Sequence, residues 1–329
     1  MMRVVAPGRV NLIGEHTDYT GGLVFPMAID RWTTIGYDVT GSGIVLDSAD
    51  ADGTVSISLG QSFDASMTPS WGRYVGAVAS LMDSPRGISG HVSTTIPVGA
   101  GLSSSAALEI AVAMALGSSL SASELAQLTQ RAEHMATGVP TGIMDQLCIA
   151  SARQGHGALI DCTTLEVRHI PIPSDVKIVV RFIAHRTLVG TAYADRVAQC
   201  KAAESIIGPL RNAAMSDIAK IDNKIIRARA SHVVSENERV LDFSSALEEG
   251  DYHTAGFVMT DSHTSLANDF EVSNAQMDQA VRNMCATPGV FGARMTGGGF
   301  GGCIVALCEP DAVVDGWHVQ PVGAAHHVS

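Results

Sequence analysis

A glycine- and serine-rich turn between a predicted strand and a predicted apolar helix constrains the fold of this chain more than any other stretch. Residues 92–96 favour a strand, the turn reads Pro-Val-Gly-Ala-Gly-Leu-Ser-Ser-Ser, and residues 106–116 favour a helix. Glycines let backbone approach a ligand closely, and the free N–H groups in the first turn of a helix attract anions. The turn is therefore a candidate phosphate-binding loop, although a Gly/Ser turn that merely caps a buried helix has the same sequence pattern.

Two familiar phosphate-binding motifs do not match this turn. The spacing Gly99-x-Gly101-x-x-Ser104 partly matches a dinucleotide-binding fingerprint, which needs an acidic residue about 20 positions later on a second strand. The next acidic residues, Glu109 and Glu124, lie in helical sequence instead. A Walker-type loop is excluded because no lysine follows the glycines. We expect backbone N–H groups, the helix dipole and hydroxyls to hold whatever binds here.

Composition indicates a globular protein and argues against several kinds of partner. The chain has 329 residues, of which 46% are hydrophobic and 16% charged, so it is long enough for two domains with cores of their own. Its formal net charge of −12, with no basic stripe, argues against nucleic acid or an anionic membrane as a partner. The six cysteines show no C-x-x-C spacing. With no signal peptide and no membrane-spanning stretch in view, we expect a cytoplasmic protein with reduced thiols.

Periodicity and turn residues predict an α+β protein with helices and strands in both halves. The predicted strands are residues 4–6, 23–27, 33–39, 43–47, 55–59, 158–161, 166–170 and 176–184, followed by a hairpin over 292–307. The predicted helices are residues 71–82, 106–116, 121–137, 191–207, 214–230, 235–249, 253–268 and 275–284. Pro171-Ile172-Pro173 marks the predicted boundary between an N-terminal domain, residues 1–171, and a C-terminal domain, residues 172–316. A closing strand within 317–325 would rejoin the first domain, and His326 and His327 are expected in a disordered end.

Polar side chains are dense between the first two predicted strands. Arg9, Glu15, His16, Asp18 and Tyr19 fall within one short segment that is predicted to be a loop. A solvated turn explains such a segment, because loops tolerate charge. The same set of donors and acceptors also suits a hydroxyl-rich ligand such as a sugar.

Two acidic residues are candidates for chemistry at the phosphate loop. Glu133 lies near the end of a predicted helix, and Asp145 follows twelve residues later after a Gly/Pro/Thr loop. Both could be ordinary surface acids. One could instead hold Mg²⁺, which prefers oxygen ligands, while the other faces the incoming nucleophile. Phosphoryl transfer needs mainly positioning and charge neutralisation, and these residues could supply both.

Read together, these motifs resemble the galactokinase family, within the kinase superfamily named for galacto-, homoserine, mevalonate and phosphomevalonate kinases. Residues 7–19, Pro-Gly-Arg-Val-Asn-Leu-Ile-Gly-Glu-His-Thr-Asp-Tyr, resemble the galactokinase signature. The glycine–serine turn and the hairpin segment 292–302, Gly-Ala-Arg-Met-Thr-Gly-Gly-Gly-Phe-Gly-Gly, resemble the other two superfamily motifs. Shorter matches, Gly-Ile-Met-Asp-Gln at 142–146 and Asp-Phe-Glu-Val-Ser at 269–273 among them, extend the resemblance over most of the chain.

The resemblance implies a two-domain sugar-kinase fold: a mixed-sheet N-terminal domain, a ferredoxin-like C-terminal domain, and an active site between them. It implies transfer of the ATP γ-phosphoryl group to the C1 hydroxyl of galactose, with Mg²⁺ as the metal. Asp145 and Arg9 would be catalytic, Ser105 and Glu133 would hold the metal, and Glu15, His16, Asp18, Gly142 and Tyr193 would contact the sugar. ATP would bind at Gly99, Gly101, Leu102, Ser103, Ser104, Ser105 and Ala106.

Several alternatives stay open at this point. A kinase for a related sugar, such as N-acetylgalactosamine or arabinose, would have a similar sequence, and so would a non-catalytic sensor of galactose and ATP. We expect a monomer whose partners are a small sugar and ATP.

Overall fold

Three β-sheets and eight α-helices make up the computed structural model, which describes residues 1–41, 43–185 and 189–328. The helices are α1 Gly72–Leu81, α2 Ser104–Ala115, α3 Ala122–Thr137, α4 Met144–Ser151, α5 Val189–Ile207, α6 Lys224–Glu249, α7 Tyr252–Asn268 and α8 Ala275–Cys285. The strands of the first half are β1 Met2–Asn11, β2 Leu23–Val24, β3 Pro26–Thr40, β4 Ile44–Ser48, β5 Val55–Ile57, β6 Gly87–Thr94, β7 His156–Asp161 and β8 Val167–Pro171. The strands of the second half are β9 Lys177–Ala184, β10 Val290–Thr296, β11 Gly302–Cys308, β12 Trp317–Val319 and β13 His326–Val328.

A six-stranded mixed sheet, in the order β13-β1-β3-β6-β4-β5, forms the centre of the first half. β4 pairs parallel to β6, whereas the other pairs in this sheet are antiparallel. Helix α2 packs against β1 and β3, and its apolar side chains are almost all buried. Each large one, such as Ile110, contributes roughly 1.5–3 kcal/mol to stability. Because this buried helix begins at the glycine–serine turn, the packing fixes the position of that turn.

The second half is built on an antiparallel sheet in the order β10-β11-β9-β12. Helices α7 and α8 pack on β10, and α6 packs on α7. The hairpin of β10 and β11 confirms the one predicted, with the glycine-rich turn between its strands. A third sheet, in the order β2-β7-β8, lies beside the first, and it confirms the predicted strand pair 158–161 and 166–170.

The last residues of the described chain belong to both large sheets. β12 pairs with β9 in the second half, and β13 pairs with β1 in the first. The expectation that His326 and His327 lie in a disordered end is wrong, because both residues pair with β1. Within the described residues, no helix combines the length and the apolar character that crossing a membrane needs.

Two further predictions were wrong for identifiable reasons. Arg9 does not lie in a polar loop but within β1, where its side chain is 5% exposed. Its polarity indicated solvent, but its partner comes from a distant part of the chain. Residues 214–249 do not form two helices either: a single helix, α6, begins after Asn223, whose side-chain oxygen accepts hydrogen bonds from the N–H groups of Ile225 and Ile226.

Candidate active site

Arg9 and Asp145 form a bidentate ion pair at the centre of the cleft between the two halves. Arg9 Nε donates to Asp145 Oδ1 and Arg9 Nη2 to Oδ2, each over 2.7 Å. Arg9 Nη1 donates to the carbonyl of Gly101 at 2.7 Å, and the Ser103 hydroxyl donates to the same carboxylate. Burial would lower the pKa of Arg9, but the charge of Asp145, the hydrogen bonds to it and the charge of Glu15 together outweigh burial and raise that pKa. The pair thus joins β1, α4 and the phosphate loop at one point.

The phosphate loop, residues 97–106, adopts backbone conformations that explain its composition. Gly99 and Gly101 have φ values of 77° and 84°, and Ser103 has φ 63° directly before α2. A non-glycine residue in this region of φ is uncommon and is found preferentially at functional sites. Ser104 and Ser105 open α2, so the free N–H groups of its first turn lie at the cleft. This geometry suits an anion.

Two of the predicted ATP-binding residues do not line the cleft. The side chains of Leu102 and Ala106 are buried in the hydrophobic core and do not line the cleft. The Leu102 carbonyl accepts a hydrogen bond from the Arg9 N–H at 3.2 Å, and Ala106 lies in the first turn of α2. The remaining predicted residues of the loop, Gly99, Gly101, Ser103, Ser104 and Ser105, line the cleft directly.

Glu133 is held beside the phosphate loop by three donors. Ser105 Oγ donates to its Oε1 at 2.8 Å, while Gln146 Nε2 and Thr141 Oγ1 donate to its Oε2 at 2.7 and 3.2 Å. Burial and the nearby charge of Asp145 raise the pKa of Glu133, against the effect of these hydrogen bonds. Gln146 was missed in the sequence, although it follows Asp145 on the same helix.

The donor set fits Mg²⁺ bound together with phosphates. Ser105 Oγ and Glu133 Oε1 are hard oxygen atoms 2.8 Å apart, and both residues line the cleft. Mg²⁺ commonly takes one or two protein oxygens and completes its shell with phosphate oxygens and water. Among the described residues, no group of three or more His, Cys, Asp or Glu side chains could hold a metal ion. The oxygen atoms of Ser105 and Glu133 therefore suit a metal ion that is also bound by phosphate.

The acceptor loop, residues 14–23, contributes further residues to the lining of the cleft and is largely buried. Glu15 is 3% exposed, and its Oε1 accepts a hydrogen bond from the N–H of Gly297 at 2.7 Å. Burial raises the pKa of Glu15, while Arg294 and Arg9 act to lower it. Glu15 therefore joins the acceptor loop to the glycine turn between β10 and β11.

His16 lies among aromatic rings at the cleft surface. Its ring centroid is 4.7 Å from that of Phe270 and 5.5 Å from that of Tyr193, and its Nδ1 lies 3.1 Å from the Tyr19 hydroxyl. Burial raises the pKa of Tyr193 well above its usual value, and the charges of Asp18 and Asp145 add to this. The Tyr193 hydroxyl is thus a neutral donor and acceptor on the cleft wall.

Asp18 lies directly against the backbone of Gly142. A Cβ atom added at Gly142 would fall 1.8 Å from Asp18 Oδ2, so only glycine leaves room for this carboxylate. Burial raises the pKa of Asp18 to about 7, with the charges of Asp145 and Glu15 adding to the shift. The carboxyl group of Asp18 therefore changes its protonation state near neutral pH.

The cleft encloses about 400 Å³ and receives residues from both halves of the chain. Every predicted site residue except Leu102 and Ala106 lines it. The glycine turn, residues 297–300, closes one side, with Phe300 at φ 60°. Residues that the sequence did not single out also line it: Tyr74, Val98, Thr137, Val139, Thr141 and Met144. They are ordinary apolar or hydroxyl side chains, so no local pattern distinguished them.

Comparison with known proteins agrees with this geometry. The description "Galactokinase galactose-binding signature" matches residues 2–38, "GHMP kinases N terminal domain" matches 73–153 and "GHMP kinases C terminal" matches 243–318. A galactokinase from Chloroflexus aurantiacus is 41% identical over 96% of this chain and 87% of its own length. This chain belongs to the galactokinase family. The human galactokinase is 39% identical, over 94% of this chain and 84% of its own.

The fold of this chain also resembles the folds of solved structures. Lactococcus lactis galactokinase complexed with galactose matches with a TM-score of 0.92 and 28% identity, over 99% of this chain and 94% of its own. A mevalonate kinase matches with a TM-score of 0.68 at 21% identity, over 94% of this chain and 92% of its own, which shows a shared fold. The predicted two-domain α+β kinase fold is thereby confirmed.

Proposed function

We propose that this protein transfers the γ-phosphoryl group of ATP to the C1 hydroxyl of α-D-galactose, giving galactose 1-phosphate. Membership of the galactokinase family makes it an ATP-dependent sugar kinase. One observation carries the proposal for the site: the paired Arg9 and Asp145 contact the phosphate loop directly and line the same cleft as its glycines and serines. Galactose as the acceptor is supported by the signature over residues 2–38 and by the galactose complex of the Lactococcus lactis relative.

Asp145 has room for one more hydrogen bond, and we assign it to the acceptor hydroxyl. An ionised carboxylate offers about four lone-pair sites. Two bonds from Arg9 and one from Ser103 occupy three of them. The remaining lone pair can accept a hydrogen bond from the sugar C1 hydroxyl and orient its oxygen towards the γ-phosphorus. Asp145 then takes up the hydroxyl proton as the new P–O bond forms and the bond from the γ-phosphorus to the β-phosphate oxygen breaks, so that ADP leaves.

Arg9 and the start of α2 neutralise charge on the transferring group. The guanidinium is held rigidly by Asp145 and the Gly101 carbonyl, so it is preorganised beside the reacting atoms. The free N–H groups of the first turn of α2 and the glycine backbone receive the phosphates. Mg²⁺, held by Ser105 and Glu133 together with the phosphates, would supply further neutralisation of phosphate charge when bound.

We assign sugar recognition to Glu15, His16, Asp18, Gly142 and Tyr193. The carboxylate of Asp18 and the hydroxyl of Tyr193 can accept or donate hydrogen bonds to several sugar hydroxyls. A site built to pair a hydroxyl rejects an analogue that lacks it, because buried polar groups are then left unpaired. That the protein is monomeric and cytoplasmic remains a prediction from the sequence.

Coupled ADP release with ATP, Mg²⁺ and a panel of sugars tests the proposal. We expect turnover with galactose to exceed that with N-acetylgalactosamine and arabinose by at least about 10-fold in kcat/KM, since a missing or mispaired hydroxyl is costly. Good turnover on another sugar and none on galactose would overturn the assignment of the acceptor. Binding of galactose and ATP without turnover of any sugar would instead identify a sensor.

A further inference from the structure

Three polar side chains on one side of α6 hold the backbone of the acceptor loop. His232 Nε2 donates to the Glu15 carbonyl at 3.1 Å, and Glu236 Oε1 accepts from the Gly14 N–H at 3.0 Å. Asn237 Oδ1 accepts from the Leu23 N–H at 2.7 Å. His232 and Glu236 are four positions apart and therefore lie on one face of the helix, and Asn237 follows Glu236 at the edge of that face. Both ends of the loop are therefore fixed from the same helix.

Close approach of glycines to α6 supports this reading. A Cβ atom added at Gly22 would lie 2.5 Å from Asn237 Oδ1, and one added at Gly14 would lie 2.9 Å from Val240 Cγ2. Gly14 also has a φ of 93°, which favours glycine. The loop thus packs tightly on the helix at both ends, while its middle carries the side chains that face the cleft.

Glu236 acts as an ionised hydrogen-bond acceptor within the contact between α6 and the acceptor loop. It is fully buried and bonds to Arg239 Nε at 2.7 Å and to the Ser262 hydroxyl at 2.6 Å, and Arg294 Nη2 lies 3.5 Å from its carboxylate. Burial would raise its pKa, but Arg294, His232 and Arg239 outweigh burial and lower the pKa to about 2. Arg294 lies on β10, three residues before Gly297 of the glycine turn, which contacts Glu15. The contact between α6 and the acceptor loop therefore extends to the glycine turn, which closes one side of the cleft.

We propose that His232, Glu236 and Asn237 are positioning residues. They hold the acceptor loop in the shape that receives the sugar, and they do not contact the sugar themselves. The inference rests on the proposed function, since it assigns the loop to sugar binding. None of the three lines the cleft, so each acts through backbone of residues 14–23. Loss of one bond should weaken use of the sugar and spare use of ATP, because the phosphate loop is held by other contacts.

Asn237→Leu tests the proposal, because it removes the acceptor and keeps the approximate size of the side chain. The Leu23 N–H then loses its partner, a loss that corresponds to roughly a 5- to 100-fold effect. We expect the KM for galactose to rise about 10-fold, while the KM for ATP changes less than about 2-fold. Asn237→Asp retains the acceptor oxygen and should restore most of the sugar KM. Glu238→Gln, at an exposed position of the same helix, is the matched control.

Amide hydrogen exchange separates this proposal from the proposed function. We expect Asn237→Leu to speed exchange at residues 14–23 and to leave 97–106 unchanged, whether or not the protein phosphorylates galactose. Equal increases in both KM values, or unchanged exchange in the loop, would overturn the positioning role. Absence of turnover in the wild-type protein would refute the proposed function alone. If Asn237→Leu does not fold, Asn237→Ser removes the same bond without added bulk and is measured in the same way.

Discussion

The two walls of the cleft are built in opposite ways. The phosphate loop is exposed at its tip: Val98 is 67% exposed, and a Cβ atom added at Gly99 would meet no atom within 4 Å. The acceptor loop is enclosed, and added Cβ atoms at Gly14, Gly21 and Gly22 would all lie within 3 Å of other residues. The first wall takes its shape from its own backbone conformation and from the helix it opens. The second takes its shape from distant parts of the chain that pack against it.

This difference indicates how well each wall tolerates an added side-chain atom. A strained but open loop can accept a new side chain at the cost of backbone conformational energy. In an enclosed loop, an added atom displaces the groups that face the ligand, because packed interiors have little free space. Between the walls, the Arg9–Asp145 pair is connected to both: Arg9 contacts the phosphate loop, and Asp145 lies three residues after Gly142, which packs against Asp18 of the acceptor loop.

The largest effect is expected where the walls meet, in Asp145→Ala. Loss of the group that accepts the hydroxyl proton should lower kcat by about 1,000-fold or more, since proton transfer by a positioned group contributes roughly 10²–10⁴-fold. Galactose binding should survive, and coupled ADP release with calorimetric galactose titration measures both. Near-normal turnover would remove Asp145 from the catalytic role.

A matched variant controls for folding of the Asp145 site. Arg9 is buried, so removing its partner costs roughly 3–5 kcal/mol. Asp145→Asn keeps an oxygen that can accept from Arg9 and should be the more stable of the two by thermal melting. Both variants should lack activity if the carboxylate itself is required.

The next effect is expected on the enclosed wall, in Gly142→Ala. The new methyl group would fall 1.8 Å from Asp18 Oδ2 and displace that carboxylate. Since hydrogen bonds to a charged acceptor contribute about 1.5–3 kcal/mol, the KM for galactose should rise roughly 30-fold with little change in the KM for ATP. Steady-state kinetics with each substrate varied in turn checks this. An unchanged galactose KM would mean that Asp18 does not bind the sugar.

A smaller effect is expected from the charge of Asp18. With its pKa raised to about 7, the carboxyl is mostly protonated at pH 6 and mostly ionised at pH 8. An ionised acceptor makes the stronger hydrogen bonds, so the KM for galactose should fall by up to about 10-fold as pH rises across this range. Asp18→Asn is the control for the titration of ATP itself, and its KM for galactose should change little with pH. A wild-type profile that matches the variant's would refute the role of Asp18 charge.

The smallest effect is expected on the open wall, in Gly99→Ala. Alanine at a φ of 77° costs roughly 1–2 kcal/mol, but no clash adds to this cost because the space is empty. The KM for ATP should rise about 5-fold as the loop relaxes away from the phosphate-binding shape, and the galactose KM should stay unchanged. An effect as large as that of Gly142→Ala would contradict the contrast between the walls.

Local signals in the sequence were sufficient for the parts of the fold that depend on few neighbours. The helix predicted over residues 121–137 is confirmed as α3, which begins at the capping box of Ser121 and Glu124 and ends at the left-handed Gly138. The buried α2 followed from its apolar composition. Continuity of α6 was not inferred in the same way, because the predicted helices leave a break between residues 230 and 235. In the structure, the Ser235 hydroxyl bonds to the carbonyl of Ser231 within the helix.

The sequence by itself determined which residue types could do the chemistry and the local form of the phosphate loop. Glycine conformation, helix capping and helix dipoles act over a few residues, so a short pattern contains them. Only the tertiary structure decided that Arg9 meets Asp145, 136 positions away, and that Glu15 meets Gly297, 282 positions away. It also buried Arg9 within a strand. Such pairings depend on how whole sheets and helices pack, and polarity along the chain does not encode which distant group will compensate a buried charge.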